Sequence, residues 1–282
     1  MKKKKLPKNI RCAAVFALVI GILTLICASG QIAYEVADNF ECWRPNYEKV
    51  DLDPLLDKEE LTDGDYSVLY AQTGLTKAGI DRALERDSAG KARIKSIQNS
   101  YFEKHTVKHN KFAPYICFCD IEDYIQNIYL EDGDVVVSYS TQLIGWRMGH
   151  SGLVTNGLSE SVLQAAAIGT VSDDRGSIKN FTNSIAFMIL SPKVDRETRQ
   201  QVVKYAKENL LGISYDPFRG IFSSKNKIDT TQCAHLVWYA YNHFGIDIDC
   251  NGGGLVTPKD FANSPKMEVL QVFGFDPQKL WK

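Results

Sequence analysis

The pattern of apolar and polar positions changes character several times along the chain. Cys12 to Ser29 is an uncharged, mostly apolar run without a period, preceded by Lys2, Lys3, Lys4, Lys5, Lys8 and Arg11. Residues 31 to about 50, with Pro45, have little periodicity and read as a connecting stalk. From Pro54 to about Lys104 the spacing is helical. Ile80, Ala83 and Leu84, then Ile94 and Ile97, recur every three or four residues, which predicts two or three helices with Asp63 and Asp65 as candidate caps. A loop with Pro114 and a short helix around Ile121 to Ile128 complete this part.

Beyond residue 130 the pattern becomes that of strands. Asp132-Gly133-Asp134 is a turn that launches Val135-Val136-Val137. Further strands are predicted at Gly152 to Thr155, Val162 to Ala166 and Ile185 to Leu190, separated by Asn156-Gly157 and by the polar segment Ser172 to Thr182. They stand close enough for an antiparallel sheet. Asp195 to Asn209 is a helix with Val202, Val203, Tyr205 and Ala206 as its apolar residues, and a second helix runs from about Thr231 to Phe244, stopped by Gly245. Leu270 to Phe273 adds a last short strand. The fold class is α+β, divided into a leader at 1–30, a stalk and mainly helical region at 31–129, and a third region at 130–282.

Charge changes the picture at the start of the chain. Basic residues followed by an apolar run are the mark of an export signal or a membrane anchor. Ala28 and Gly30 are small residues where a signal peptidase would read them, and the run is near the roughly 20 residues needed to span a bilayer, so both outcomes fit. A lipid anchor on Cys27 fits less well, because Leu25 and Ile26 precede it. Either way the remainder is expected outside the cytoplasm. Taking away residues 1–30 removes five lysines, one arginine and no acid, lowering the formal net charge from −1 to −7. An acidic exported domain has no electrostatic footing on a phosphate backbone, so nucleic acid is not an expected partner.

Of seven cysteines, Cys12 and Cys27 lie in the apolar run, leaving Cys42, Cys117, Cys119, Cys233 and Cys250. Five is odd, so at least one thiol outside the run is free or paired with another molecule. Cys117 and Cys119, with His105 or His109, have irregular spacing for a metal centre, and no metal or cofactor is expected.

Cys233 stands apart by position. Thr230 or Thr231 is a good N-cap, which puts the thiol in the first turn of a helix, where free N–H groups and the helix dipole favour a thiolate and can stabilise an oxyanion. A cysteine packed on a core-facing helix would leave the same local signal. A base decides between them. His235 is two residues away on the same helix and points elsewhere. His150 opens the strand Ser151-Gly152-Leu153-Val154, and the next strand offers a polar residue, Gln164, among apolar neighbours, able to orient an imidazole. Pairing His150 directly with Gln164 centres the hairpin on Gly157 and needs a three- or five-residue loop. A two-residue Asn156-Gly157 turn would put Gln164 on the opposite face. Tyr215 is a further candidate, as a phenol donor to an oxyanion or as packing.

The segments Leu130-Glu-Asp-Gly-Asp-Val, Gly149-His150-Ser-Gly-Leu-Val, Val162-Leu-Gln164-Ala and Gln232-Cys233-Ala-His-Leu-Val-Trp resemble the permuted NlpC-type, papain-like cysteine hydrolases of the YiiX and YebB kind. The resemblance covers about residues 130 to 270, including Gly212-Ile-Ser-Tyr215-Asp and Val256-Thr-Pro258-Lys-Asp260. It implies a permuted papain-like fold, with a central antiparallel sheet packed on the helix that bears the nucleophile. It also implies Cys233 as nucleophile, His150 as base and Gln164 as third member, with Tyr215 and Gln232 as candidate substrate-binding or oxyanion groups. Relatives often carry Glu or His where Gln164 stands, and Ser where Ala234 stands. The implied function is an exported cysteine hydrolase cleaving a peptide or isopeptide bond, most naturally in cell-wall peptidoglycan. A lipid acyltransferase or thioesterase on the same fold and a catalytically silent envelope binding module are the alternatives.

Overall fold

The computed structural model describes residues 8–36, 42–109, 117–118, 125–139, 141–143, 145–276 and 281. Helix α1 (Lys8–Val36) contains Cys12–Ala33, a 22-residue stretch of mean hydropathy 2.6 that is long and apolar enough to cross a membrane. Four helices follow, α2 (Asp53–Leu56), α3 (Asp63–Thr73), α4 (Lys77–Leu84) and α5 (Asp87–Phe102), more than the two or three that periodicity predicts. Thr62 caps α3, one residue ahead of the expected Asp63. Its hydroxyl accepts the Asp65 N–H while the Asp65 carboxylate accepts the Thr62 N–H, a reciprocal capping box.

A two-residue pair, β1 (Val107–Lys108) with β2 (Cys117–Phe118), comes next. Of the short helix expected around Ile121 to Ile128, residues 121–124 lie outside the described residues, and Ile125 to Leu130 is not helical. The Gln271 side chain explains the difference: it accepts the Ile128 N–H at 2.7 Å and donates to the Gln126 carbonyl at 3.0 Å, pairing with this stretch as a strand would.

The remaining strands are β3 (Val135–Ser138), β4 (Gln142–Leu143), β5 (Trp146–Arg147), β6 (His150–Asn156), β7 (Ser161–Gln164), β8 (Asp173–Ser177), β9 (Phe187–Pro192) and β10 (Met267–Phe273). Six of them form one antiparallel sheet in the order β10-β9-β3-β6-β7-β8, while β4 and β5 pair as a separate ribbon. The polar segment expected to be a connection therefore contributes β8, at the edge of the sheet, where charged side chains face solvent and discourage pairing with other chains. Helices α6 (Lys179–Thr182), α7 (Arg196–Asn209), α8 (Cys233–Asn242) and α9 (Pro258–Ala262) complete the described fold.

Alternation along the strands sends successive side chains to opposite faces. Val136, Val154, Val162 and Ile189 join Leu69, Ile80, Ile94 and Ile97 of α3, α4 and α5 in one apolar cluster. Val135, Val137, Leu153 and Leu163 join Val202 and Ala206 of α7 and Leu236, Val237 and Ala240 of α8 in the other. The first cluster runs continuously across residue 130, so the N-terminal helices and the sheet share a core. Charge joins the same parts. Arg82 of α4 lies 2.5 Å from the fully buried Asp134 in the turn before β3, and Arg199 of α7 approaches it from the other side at 3.6 Å.

Candidate active site

The entry to α8 is built by Gln232, not by a threonine. Its Oε1 accepts the Ala234 N–H at 2.8 Å, making it the N-cap, and its Nε2 donates to the Val256 carbonyl at 2.6 Å. Thr231 is spent elsewhere, between the Gln232 carbonyl and His235 Nδ1. Cys233 is thus the first residue of α8, where backbone N–H groups lack helical acceptors. Its thiol is 6% exposed and 3.4 Å from Gln232 Oε1.

His150 reaches the same point from the sheet. Gly149 precedes it at φ 74°, and a Cβ there would fall 2.9 Å from the Ser138 carbonyl and 2.7 Å from the Trp281 ring, so the backbone turns where only glycine fits. The imidazole stacks on Phe181 at 5.1 Å with the planes 7° apart. Nε2 lies 2.8 Å from Gln164 Oε1, which as an acceptor fixes the proton on that nitrogen and leaves Nδ1 for the thiol. The ring and the thiol influence each other through charge and hydrogen bonding, and the N–H groups of Ser151 and Ala234 favour the charged sulfur.

The electrostatics follow from these contacts. Burial alone raises the Cys233 thiol, but the His150 hydrogen bond and charge, with the two backbone N–H groups, outweigh it and bring the thiol below its ordinary value. Burial alone lowers His150, yet the bond and charge of Cys233 and the Gln164 contact raise it above 6.5. Each shift favours a thiolate beside an imidazolium.

The structure brings Cys233, His150 and Gln164 together, though not in the direct register expected for the hairpin. β6 and β7 pair Leu153 with Leu163 and Val154 with Val162, which continues to place Gln164 across from Gly152, diagonal to His150. A turn at 157–160, with Glu160 at φ 55°, and an irregularity between Val154 and Asn156 produce the offset. It amounts to two residues, so both side chains keep the same face.

Tyr215 pairs through its backbone with Thr231, two residues before Cys233. Burial, then the Cys233 and Asp216 charges, push its phenol up, keeping it a donor. Gln232 does not stand free for a substrate: it is buried, with its oxygen on Ala234 and its NH₂ on Val256. His235 is turned away, held between Thr231 Oγ1 and the Lys225 carbonyl at 2.8 Å each, and burial pushes it down to about 4.

Three contributors lie outside the residues that the sequence singles out. The Ser151 N–H and the Phe181 ring leave no sequence signal. Gly176 does, as a glycine inside a strand marks close approach of another group. A Cβ at Gly176 would stand 2.7 Å from Gln164 Nε2, so the amide lies directly over it. Among the described residues no group of three or more His, Cys, Asp or Glu could hold a metal ion, and Cys119 lies outside them.

No family model matches the chain, and no curated protein matches it. Among solved structures, it is similar to the crystal structure of metalloprotein yiiX from Escherichia coli O157:H7, with a TM-score of 0.39 and 14% identity, covering 50% of this chain and 97% of that one.

Proposed function

We propose that this chain is an extracytoplasmic cysteine hydrolase of permuted papain-like, NlpC-type architecture, held at or exported across a membrane by its N-terminal segment. The observation that supports it most is the meeting of a helix-terminal cysteine with a strand-borne histidine whose second nitrogen is fixed by Gln164. In this reading the Cys233 thiolate attacks a substrate carbonyl, and the electron pair displaced onto oxygen is received by N–H groups at the start of α8, with Tyr215 as a further donor. Collapse of the tetrahedral adduct breaks the carbonyl–nitrogen bond, and His150 gives its proton to the departing amine. Water then attacks the thioester, losing its proton to His150, and releases the carboxylic acid and the thiolate. Gln164 holds the imidazole in its tautomer, stabilising its charge less than a carboxylate would.

The substrate we propose is a peptide or isopeptide bond of cell-wall peptidoglycan. Incubating the full-length protein in detergent with purified peptidoglycan should give matched new amine and carboxylate ends by mass spectrometry, absent with Cys233→Ser. Identical digests from both proteins would remove the reading. The long apolar α1 and its contact with Trp146 favour one second reading, transfer or release of a lipid acyl chain from the same thioester. An acyl chain found on Cys233 would select it.

A further inference from the structure

The triad sits at one end of the sheet. His150 begins β6, Gln164 ends β7 and Cys233 begins α8, so the segments before β6, after β7 and before α8 all leave from that end. The last two are tied to each other and to the nucleophile helix, since Val171 pairs with Ser214 and Tyr215 with Thr231. Outside α1, eight of the twelve exposed large apolar side chains among the described residues fall in these three segments, at 146–148, 168–171 and 211–222. They include Trp146, Met148, Ile168 and Val171, and the pair Phe218 and Phe222, whose rings lie 5.6 Å apart. Phe222 is 83% exposed. Apolar residues gathered around the mouth of one site mark a surface that is covered when the protein works.

The contact between α1 and the ribbon shows what covers it. Trp146 Nε1 donates to the Ile26 carbonyl at 3.5 Å. Ile26 lies seven residues before Ala33, where the apolar stretch ends. At 1.5 Å per residue Trp146 is therefore level with a point about 10 Å inside that stretch, against a part of α1 that a bilayer would surround. We propose that the rim of the Cys233 site docks onto the bilayer that α1 crosses, with Trp146, Phe218 and Phe222 inserted at the interface. Resting on the hydrolase reading, this narrows the substrate to a peptide or isopeptide bond whose peptide is carried by an amphiphile resident in that leaflet, with its apolar part in the bilayer.

Tryptophan emission from the full chain in phosphatidylcholine vesicles with brominated acyl chains tests the docking directly, because bromine quenches only indoles that reach the chains. Phe222→Trp should add emission that is blue-shifted and lost in brominated vesicles, measured against the parent chain in both lipids. Leu158→Trp, 91% exposed at the opposite tip of the β6–β7 hairpin, should add red emission that bromine leaves unchanged. Trp146→Phe should remove part of the quenching seen in the parent. Red, unquenched emission from Phe222→Trp would overturn the proposal. So would blue-shifted but unquenched emission, which would mean that a second copy or another protein covers the rim. Quenching is read without turnover, so a docked rim with an inert Cys233 would sink the hydrolase reading and leave the docking.

Discussion

At the scale of single residues, burial works against both members of the pair, since thiolate and imidazolium each lose hydration in the site. Their mutual charge and the N–H groups of Ser151 and Ala234 reverse the balance. His235, two residues along the same helix, shows the outcome where the surrounding groups do not outweigh burial: it is buried and pushed down to about 4. The sign follows directly. Unfolded, it binds a proton below about 6.5, while the folded chain refuses that proton until about pH 4. Its contribution to stability is present above 6.5 and lost as pH falls, by roughly 3 kcal/mol at pH 4. Denaturant unfolding between pH 7 and 4 should show a shallower acid loss for His235→Gln than for the parent. Parallel curves would mean that His235 is not buried as described.

At the scale of elements, the sequence announces the two members of the proposed pair and hides what aims them. Cys233 precedes an apolar-faced helix and His150 opens a strand, both local patterns that period and capping rules read. Residue type favours Thr231 as the cap, while Gln232 takes the place through its anchor on Val256, a residue far along the chain. The hairpin register depends on the conformation of Glu160, which no composition encodes. β8 leaves no strand pattern in the sequence because an edge strand can be almost wholly polar. What aims Gln164 is testable through Gly176. Gly176→Ala puts a methyl 2.7 Å from the amide nitrogen and 2.6 Å from the Val162 carbonyl. It should lower kcat/KM by roughly ten- to a hundredfold, as Gln164→Ala should, with the fold retained by circular dichroism. Full activity in Gly176→Ala would show that the amide's position does not matter to the reaction.

At the scale of the whole molecule, the N-terminal helices were legible as helices but not as one layer of a common core, because their partners are strands far along the chain. Asp134 shows how tightly the layers are joined. It is fully buried, and burial pushes it up even though the Arg82 charge and hydrogen bond favour its ionised form. Arg82→Ala leaves the buried carboxylate with the Glu131 N–H at 2.8 Å and the Arg199 guanidinium at 3.6 Å, and should cost about 3 kcal/mol in denaturant unfolding. Lys77→Ala, which removes an exposed pair with Asp81 on the same helix, should cost far less. Equal costs would mean that the buried pair does not join the layers.

The most direct test of the account is the pH dependence of Cys233 alkylation by iodoacetamide, resolved by peptide mass spectrometry in the full-length protein. Cys42 serves as internal control, since burial pushes its thiol up to about 12 despite the Arg44 charge. In the parent chain Cys233 should be modified readily at neutral pH, with its midpoint below the ordinary thiol value of about 8.5, while Cys42 stays unmodified. In His150→Ala the loss of the imidazolium should move that midpoint up and abolish turnover, with Cys233→Ser equally inactive and the double variant no worse. An unchanged midpoint in His150→Ala would contradict the pairing of Cys233 with His150 on which the proposed chemistry rests.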